Sequence, residues 1–400
     1  MFKFYKTFFL LLVTATCSFA QSPNLSWINT HATPIDSSGK NDKNFYAALS
    51  TELKGNTIVG LAEASHGTRE FSIEKTRIIK YLIEHENYKA VGFEFGYSPM
   101  AAINSYVQTG KGNLTELMQP LRLFKTQEFL ELFKTIKAYN DGQPAANKVT
   151  VFGFDTDYFP TDIKASAAYC KKYLIEHAGV YKNEKTAATA LESIARPDAG
   201  ALYELADGDV EGLAALLEEL KAKGVTGEFV KRLSLLYQGT LLGNPLARDE
   251  FMAQNLAGIQ GESKAKTIIW GHNMHLAKDT TMAACKGMGY YVKKKYAEKY
   301  YAVAFDTFTG TVNVLDEDDF VEHPFTTQAN SYSAVFATAK YPEFFLPLKN
   351  IDNNPLFGQT NNITNIYASW NRSGVLPMRP GIDYDGVVFI RDTRSSVPLK

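Results

Sequence analysis

Short apolar runs alternate with longer amphipathic stretches through much of the chain. Runs at 57–62, 90–95, 149–154 and 267–271 are compact, apolar and bounded by turn residues, the signature of buried strands. Between and around them, apolar residues recur at helical spacing over 43–53, 68–86, 98–108, 127–139 and 246–261. Strands alternating with helices of this length predict an α/β fold, a mostly parallel sheet flanked by helices.

The pattern changes after Pro160. Residues 161–245 hold no convincing strand, only Ala-, Leu-, Glu- and Lys-rich segments at helical spacing. They are read as an inserted all-helical subdomain covering the cleft of a core built from 21–160 and 246–400. A large substrate needs an apolar wall, which polar strand ends cannot supply. Residues 21–43 are polar and irregular and read as an extended lead-in. Strands near 300–306 and 310–314 suggest a hairpin around Thr309-Gly310, and a last strand is expected over 385–390.

Residues 1–20 carry Lys3 and Lys6, then a short apolar stretch, then Ser18-Phe19-Ala20. This reads as a secretory signal cleaved after Ala20, placing the mature chain in a periplasm or outside the cell, with no stable membrane insertion. Cys170 and Cys285 would then remain, and spacing does not decide whether they pair. With 400 residues, 45% hydrophobic, 21% charged and a net charge of −1, the chain needs no metal or disulfide to support a core. The absence of a basic block argues against nucleic acid as a partner.

Chemistry gathers at three strand ends. Glu63-Ala64-Ser65-His66-Gly67 follows the first run, Glu94 ends the second, and Trp270-Gly271-His272-Asn273-Met274-His275 closes the fourth, in a chain with seven histidines. Short strands ending in Glu, His and His are how α/β enzymes collect reactive groups at the carboxyl edge of a sheet. His66, before a helix, is disposed to stay neutral and accept a proton from water, with Glu63 to orient it. Glu94 needs a partner at that depth, for which Lys75 and Arg69 are the candidates. Asp155 and Asp157 end the third run and read as loop-fixing. The sequence has no Gly-x-Ser-x-Gly elbow, no His-Glu-x-x-His helix and no phosphate-binding loop.

The motifs Gly60–Phe71 with Lys75, Ala90–Glu94, Arg248–Asn255, Trp270–His275 and Tyr384–Phe389, in this order, resemble the erythromycin esterase family. The resemblance implies an α/β core with a helical insertion and a cleft between them. It also implies hydrolysis of an ester or macrolide-type lactone by water, without covalent intermediate and without cofactor. On that analogy His66 is the general base, Glu63 and Glu94 position the base, water or substrate, and Lys75 stands at the family's basic position. His272 and His275 would support the ester oxygen or the base. Arg248 and Asp249 match a motif whose bland reading is a brace.

Two other readings stay open at this stage. The same Glu63, His66, His272 and His275 could hold a metal for a metal-dependent hydrolase. A non-enzymatic protein could hold haem or another ligand against Trp270, Phe93, Phe95 and Tyr97.

Overall fold

A computed structural model describes residues 23–157, 159–316, 319–349 and 352–399. The signal-peptide reading of 1–20 lies outside them. The strands are β1 (Thr33–Pro34), β2 (Ile58–Glu63), β3 (Tyr88–Gly96), β4 (Thr150–Asp155), β5 (Lys266–His272), β6 (Tyr300–Asp316), β7 (Asp319–Thr326), β8 (Glu343–Pro347), β9 (Asn361–Asn365), β10 (Gly374–Met378) and β11 (Gly386–Thr393). Eight of them run in the order β1-β8-β11-β6-β2-β5-β3-β4, with β7 paired to β6 as the ninth. The stretch from β11 to β4 is parallel throughout; β8, β1 and β7 join antiparallel.

Every residue of β2 is buried, which is what a central parallel strand covered on both faces requires. Odd-numbered Val59 and Leu61 face one core layer with the helix Arg69–His85. Even-numbered Ile58 and Ala62 face the other, with Met252 and Leu256 of the helix Ala247–Ser263. The strand period of two therefore sorts side chains at the carboxyl edge onto opposite faces.

The helices Pro160–Glu176, Glu184–Ala195, Asp207–Ala222 and Glu228–Thr240 form the helical insertion, with a core of their own around Leu174, Leu191, Leu213, Leu216 and Leu233. Cys170 is buried there; it and Cys285 are both free thiols. Among the described residues no helix is long and apolar enough to cross a membrane.

Two expectations fail. The lead-in contains a helix, Pro23–His31, whose Trp27 and Ile28 are buried against the second core layer. No turn occurs at Thr309-Gly310, because β6 runs unbroken to Asp316 before pairing with β7. Gly310 instead sits at φ +151°, where a Cβ would lie 2.0 Å from the Thr393 carbonyl oxygen. It is a close-approach glycine beside β11 rather than a turn former.

Candidate active site

β2 and β5 are neighbours in register, Glu63 beside His272, so two of the strand-end motifs meet directly. Glu63 is 1% exposed and all its bonding is fixed. One carboxylate oxygen, Oε1, lies 2.8 Å from His66 Nδ1. The other, Oε2, accepts from Lys75 Nζ at 2.8 Å and from Trp270 Nε1 at 2.8 Å. Lys75 belongs to the buried stripe of its helix with Phe71, Ile78 and Leu82, and its ammonium lies 4.3 Å from the Trp270 ring centroid. Burial brings its pKa down to about 8, against the opposing pull of Glu63.

The His66 side chain is 11% exposed and reaches the cleft. With Nδ1 donating to Glu63, Nε2 is left as the proton acceptor. Phe124 packs edge-on to the imidazole and His272 lies on another side, both at 5.0 Å between centroids. The next residue must be glycine: a Cβ on Gly67 would stand 1.7 Å from the Asn313 carbonyl oxygen. Its own carbonyl accepts from Asn313 and Ser396, so the C-terminal segment clamps the turn carrying His66. Neither Thr68 nor Ser65 caps the following helix; the Ser65 hydroxyl accepts from the Gly67 N–H instead.

Glu94 sits on the opposite face from Glu63, because Phe93 takes the face shared with Lys75. The expected Lys75 or Arg69 partnership is thus replaced by another. Glu94 accepts from Arg248 Nη2 at 3.0 Å and from the His272 N–H at 2.8 Å, while Arg69 pairs with Glu128. Burial alone would raise the Glu94 pKa, but His275, Arg248 and His66 outweigh it and hold the carboxyl well below its usual range.

Arg248 is locked on Asp155, with Nη2 2.5 Å and Nε 3.1 Å from Oδ2. His275 donates from Nδ1 to Asp249 at 2.7 Å, and its Nε2 lies 3.3 Å from Glu94 and 3.2 Å from Arg248. Burial lowers the His275 pKa, but Glu94 and Asp249 reverse that, so the net direction is upward. His272 goes the other way. It is fully buried, and burial, with His66 beside it, holds its pKa well below the ordinary value. Its Nδ1 accepts from the Met274 N–H, and its buried Nε2 has no hydrogen-bond partner among the described residues.

The structure brings all six sequence candidates to one end of the sheet. Of these, His66, Glu94, His272 and His275 line a cleft of about 1280 Å³. Glu63 and Lys75 lie behind His66. One wall of the cleft is made of residues 160–206 and 239–246, including Ile163, Ile194, Leu202 and Leu246. Asp157 fixes a loop through Ser98 and Ser166, as its place suggested; Asp155 instead anchors Arg248. Sequence reasoning left Arg248 and Asp249 as a brace and had no signal for Tyr367. That residue arrives on a loop after β9 and stacks on His272 at 5.4 Å.

The donors do not suit a metal. Glu63 has both oxygens bonded, and the Arg248 guanidinium sits on His275 Nε2. Among the described residues no group of three or more His, Cys, Asp or Glu is arranged to hold an ion. The four aromatics considered for haem do not line the cleft. Phe93, Phe95 and Trp270 pack in the core layer, and Tyr97 bonds Glu228.

Asp306, on β6, secures the strand leading to Tyr367. It accepts from Ser333 Oγ and from the Thr364 N–H on β9. Burial raises its pKa to about 7, against those hydrogen bonds. The folded state therefore binds this proton more tightly than the unfolded chain. The stabilisation is complete below the ordinary carboxylate range and is lost as pH rises through about 7. Asp306→Asn is expected to flatten denaturant stability across pH 5–8; a slope equal to the wild type would contradict this.

Comparisons with known proteins agree with the geometry. The family described as erythromycin esterase matches residues 83–393. The chain is similar to YbfO of Bacillus subtilis (strain 168), 23% identical over 94% of this chain and 92% of that one. It is also similar to the Escherichia coli erythromycin esterase type II, 22% identical over 64% of this chain and 70% of that protein. A Bacillus cereus crystal structure superposes with a TM-score of 0.81 at 22% identity, covering 94% of this chain and 98% of that one. The chain belongs to the erythromycin esterase family and is a hydrolase of that family.

Proposed function

We propose that this protein is an exported hydrolase that cleaves a carboxylic ester or a macrolide-type lactone with water activated by His66, without a covalent intermediate. The observation that carries the reading is the Glu63–His66 pair at the cleft wall, its carboxylate immobilised by Lys75 and Trp270. Water bonded to His66 Nε2 gives up a proton as its oxygen attacks the ester carbonyl. The imidazolium formed is stabilised by Glu63 through Nδ1–H. The negative charge gathering on the carbonyl oxygen needs fixed donors. Arg248, held by Asp155 and Glu94 with 29% of its side chain exposed, is an immobilised cation lining the same cleft and is assigned that task. His66 then returns its proton to the departing alkoxide, so the step balances without metal or enzyme nucleophile.

The E. coli relative bears the name of a macrolide esterase, and a cleft of about 1280 Å³ exceeds the ~300–1,000 Å³ of usual small-molecule sites. Both support a bulky substrate. The test is a screen of the mature chain against lactones and simple esters, with His66→Ala as the blank; no activity above that blank on any of them would defeat the proposal. The insertion residues lining the cleft are expected to set substrate size. Shortening the segment 196–206, which lines the wall, should raise KM for bulky esters several-fold and leave kcat for small ones nearly intact. A uniform loss on both would contradict this.

A further inference from the structure

The histidines lining the cleft are held in different ways. His66 has Glu63 on its ring, and His275 has Asp249. No carboxylate among the described residues is bonded to the ring of His272, which is 1% exposed. Its Nδ1 accepts from the Met274 N–H and so carries no proton; the one proton of the neutral ring is on Nε2. A second proton would have to displace the Met274 bond.

Tyr367 covers this ring. The two rings stack at 5.4 Å between centroids with 15° between planes, and the Arg372 guanidinium stands 5.2 Å from the Tyr367 centroid. Tyr367 lies in irregular chain, yet its backbone is tied on both sides. The Ile366 N–H donates at 2.7 Å to the carbonyl of Ala64, in the turn that carries His66. The Ala368 carbonyl accepts at 2.7 Å from the Leu315 N–H of β6. A ring pinned in this way keeps water from the face it covers, and an imidazole kept from water resists charge.

Charge on His272 would act directly on His66, whose ring lies 5.0 Å away between centroids. His66 becomes an imidazolium as water attacks, and a charged His272 would repel it. Glu94 would favour a proton on His272, but it is already bonded to Arg248 and to the His272 N–H; His275 opposes one. Glu63, beside His272 in register, is committed to His66, Lys75 and Trp270. Arg372, over the Tyr367 ring, is a further cation nearby.

We infer that Tyr367 is a positioning residue for the proposed base: by shielding His272 from water it keeps the neighbouring ring uncharged while His66 takes up its proton. This rests on the hydrolase reading and adds a residue to its machinery. The ring does the shielding, so Tyr367→Phe should keep the function and Tyr367→Ser should lose it.

The experiment titrates protein with isotope-labelled histidine Cε1 by NMR, with His272→Asn identifying the His272 signal. In the wild type and in Tyr367→Phe that signal should not move from pH 5 to 8. In Tyr367→Ser it should titrate near the unperturbed value of ~6.5. In parallel, kcat/KM for a para-nitrophenyl ester is measured against pH. Tyr367→Ser should fall about tenfold below the wild type at pH 6, the effect of about one pKa unit in the base, and lie within about twofold of it at pH 9. Tyr367→Val, an apolar truncation, gives the same two readouts if the serine variant does not fold. A His272 signal that stays fixed in the truncated protein, or a loss equal at every pH, would overturn the inference and leave the hydrolase reading standing. Turnover of no ester would overturn the hydrolase reading, and the titration alone then decides whether Tyr367 shields His272.

Discussion

His66→Asn is expected to lower kcat for every ester the wild type cleaves by ~10²–10⁴-fold, the usual contribution of a general base. The asparagine amide can still donate to Glu63, so the buried carboxylate keeps a partner at this position. What is lost is the acceptor nitrogen facing the cleft. Because the side chain is already 11% exposed, stability should change little. The loss should fall on kcat, with KM nearly unchanged, since the base acts in the transition state rather than in binding. A variant turning over at near wild-type rate would remove His66 from the chemistry.

Lys75→Met is expected to be the most damaging single substitution for the fold. It removes the cation from a carboxylate that is 1% exposed, in a pair whose ammonium is fully buried. Breaking a buried pair from one side typically costs ~3–5 kcal/mol, because the remaining charge is uncompensated. The double variant Glu63→Gln/Lys75→Met should recover most of that loss, as both charges are then gone, yet remain inactive because the carboxylate behind His66 is missing. Denaturant unfolding of the two single variants and the double one measures this. Additive losses would mean that Glu63 and Lys75 do not act as a pair.

Much of this was legible in the sequence because the strongest signals are local. The apolar runs ending at Glu63, Glu94 and His272 are strands, and their acids and histidines do lie at one sheet edge. Lys75 was visible in principle as a charge on the buried stripe of its own helix, at the spacing of Phe71, Ile78 and Leu82. The partner of Glu94 was missed because pairing depends on which face each strand end presents. The face is set by parity within β3 and by which helix covers it, and Arg248 lies 154 positions away. Tyr367 and Arg372 sit in irregular chain after β9, where neither period applies. Gly310 was misread for a related reason: a glycine admits a turn and a close backbone approach alike, and only the position of Thr393 decides between them.

The proposed chemistry turns on water, not a side chain, attacking the ester. Intact-mass measurement of the protein, quenched in acid during steady-state turnover of a saturating ester, tests it most directly. The expected result is the unmodified mass at every time point and no burst of alcohol release. An acyl adduct that forms and decays at the rate of turnover would contradict it.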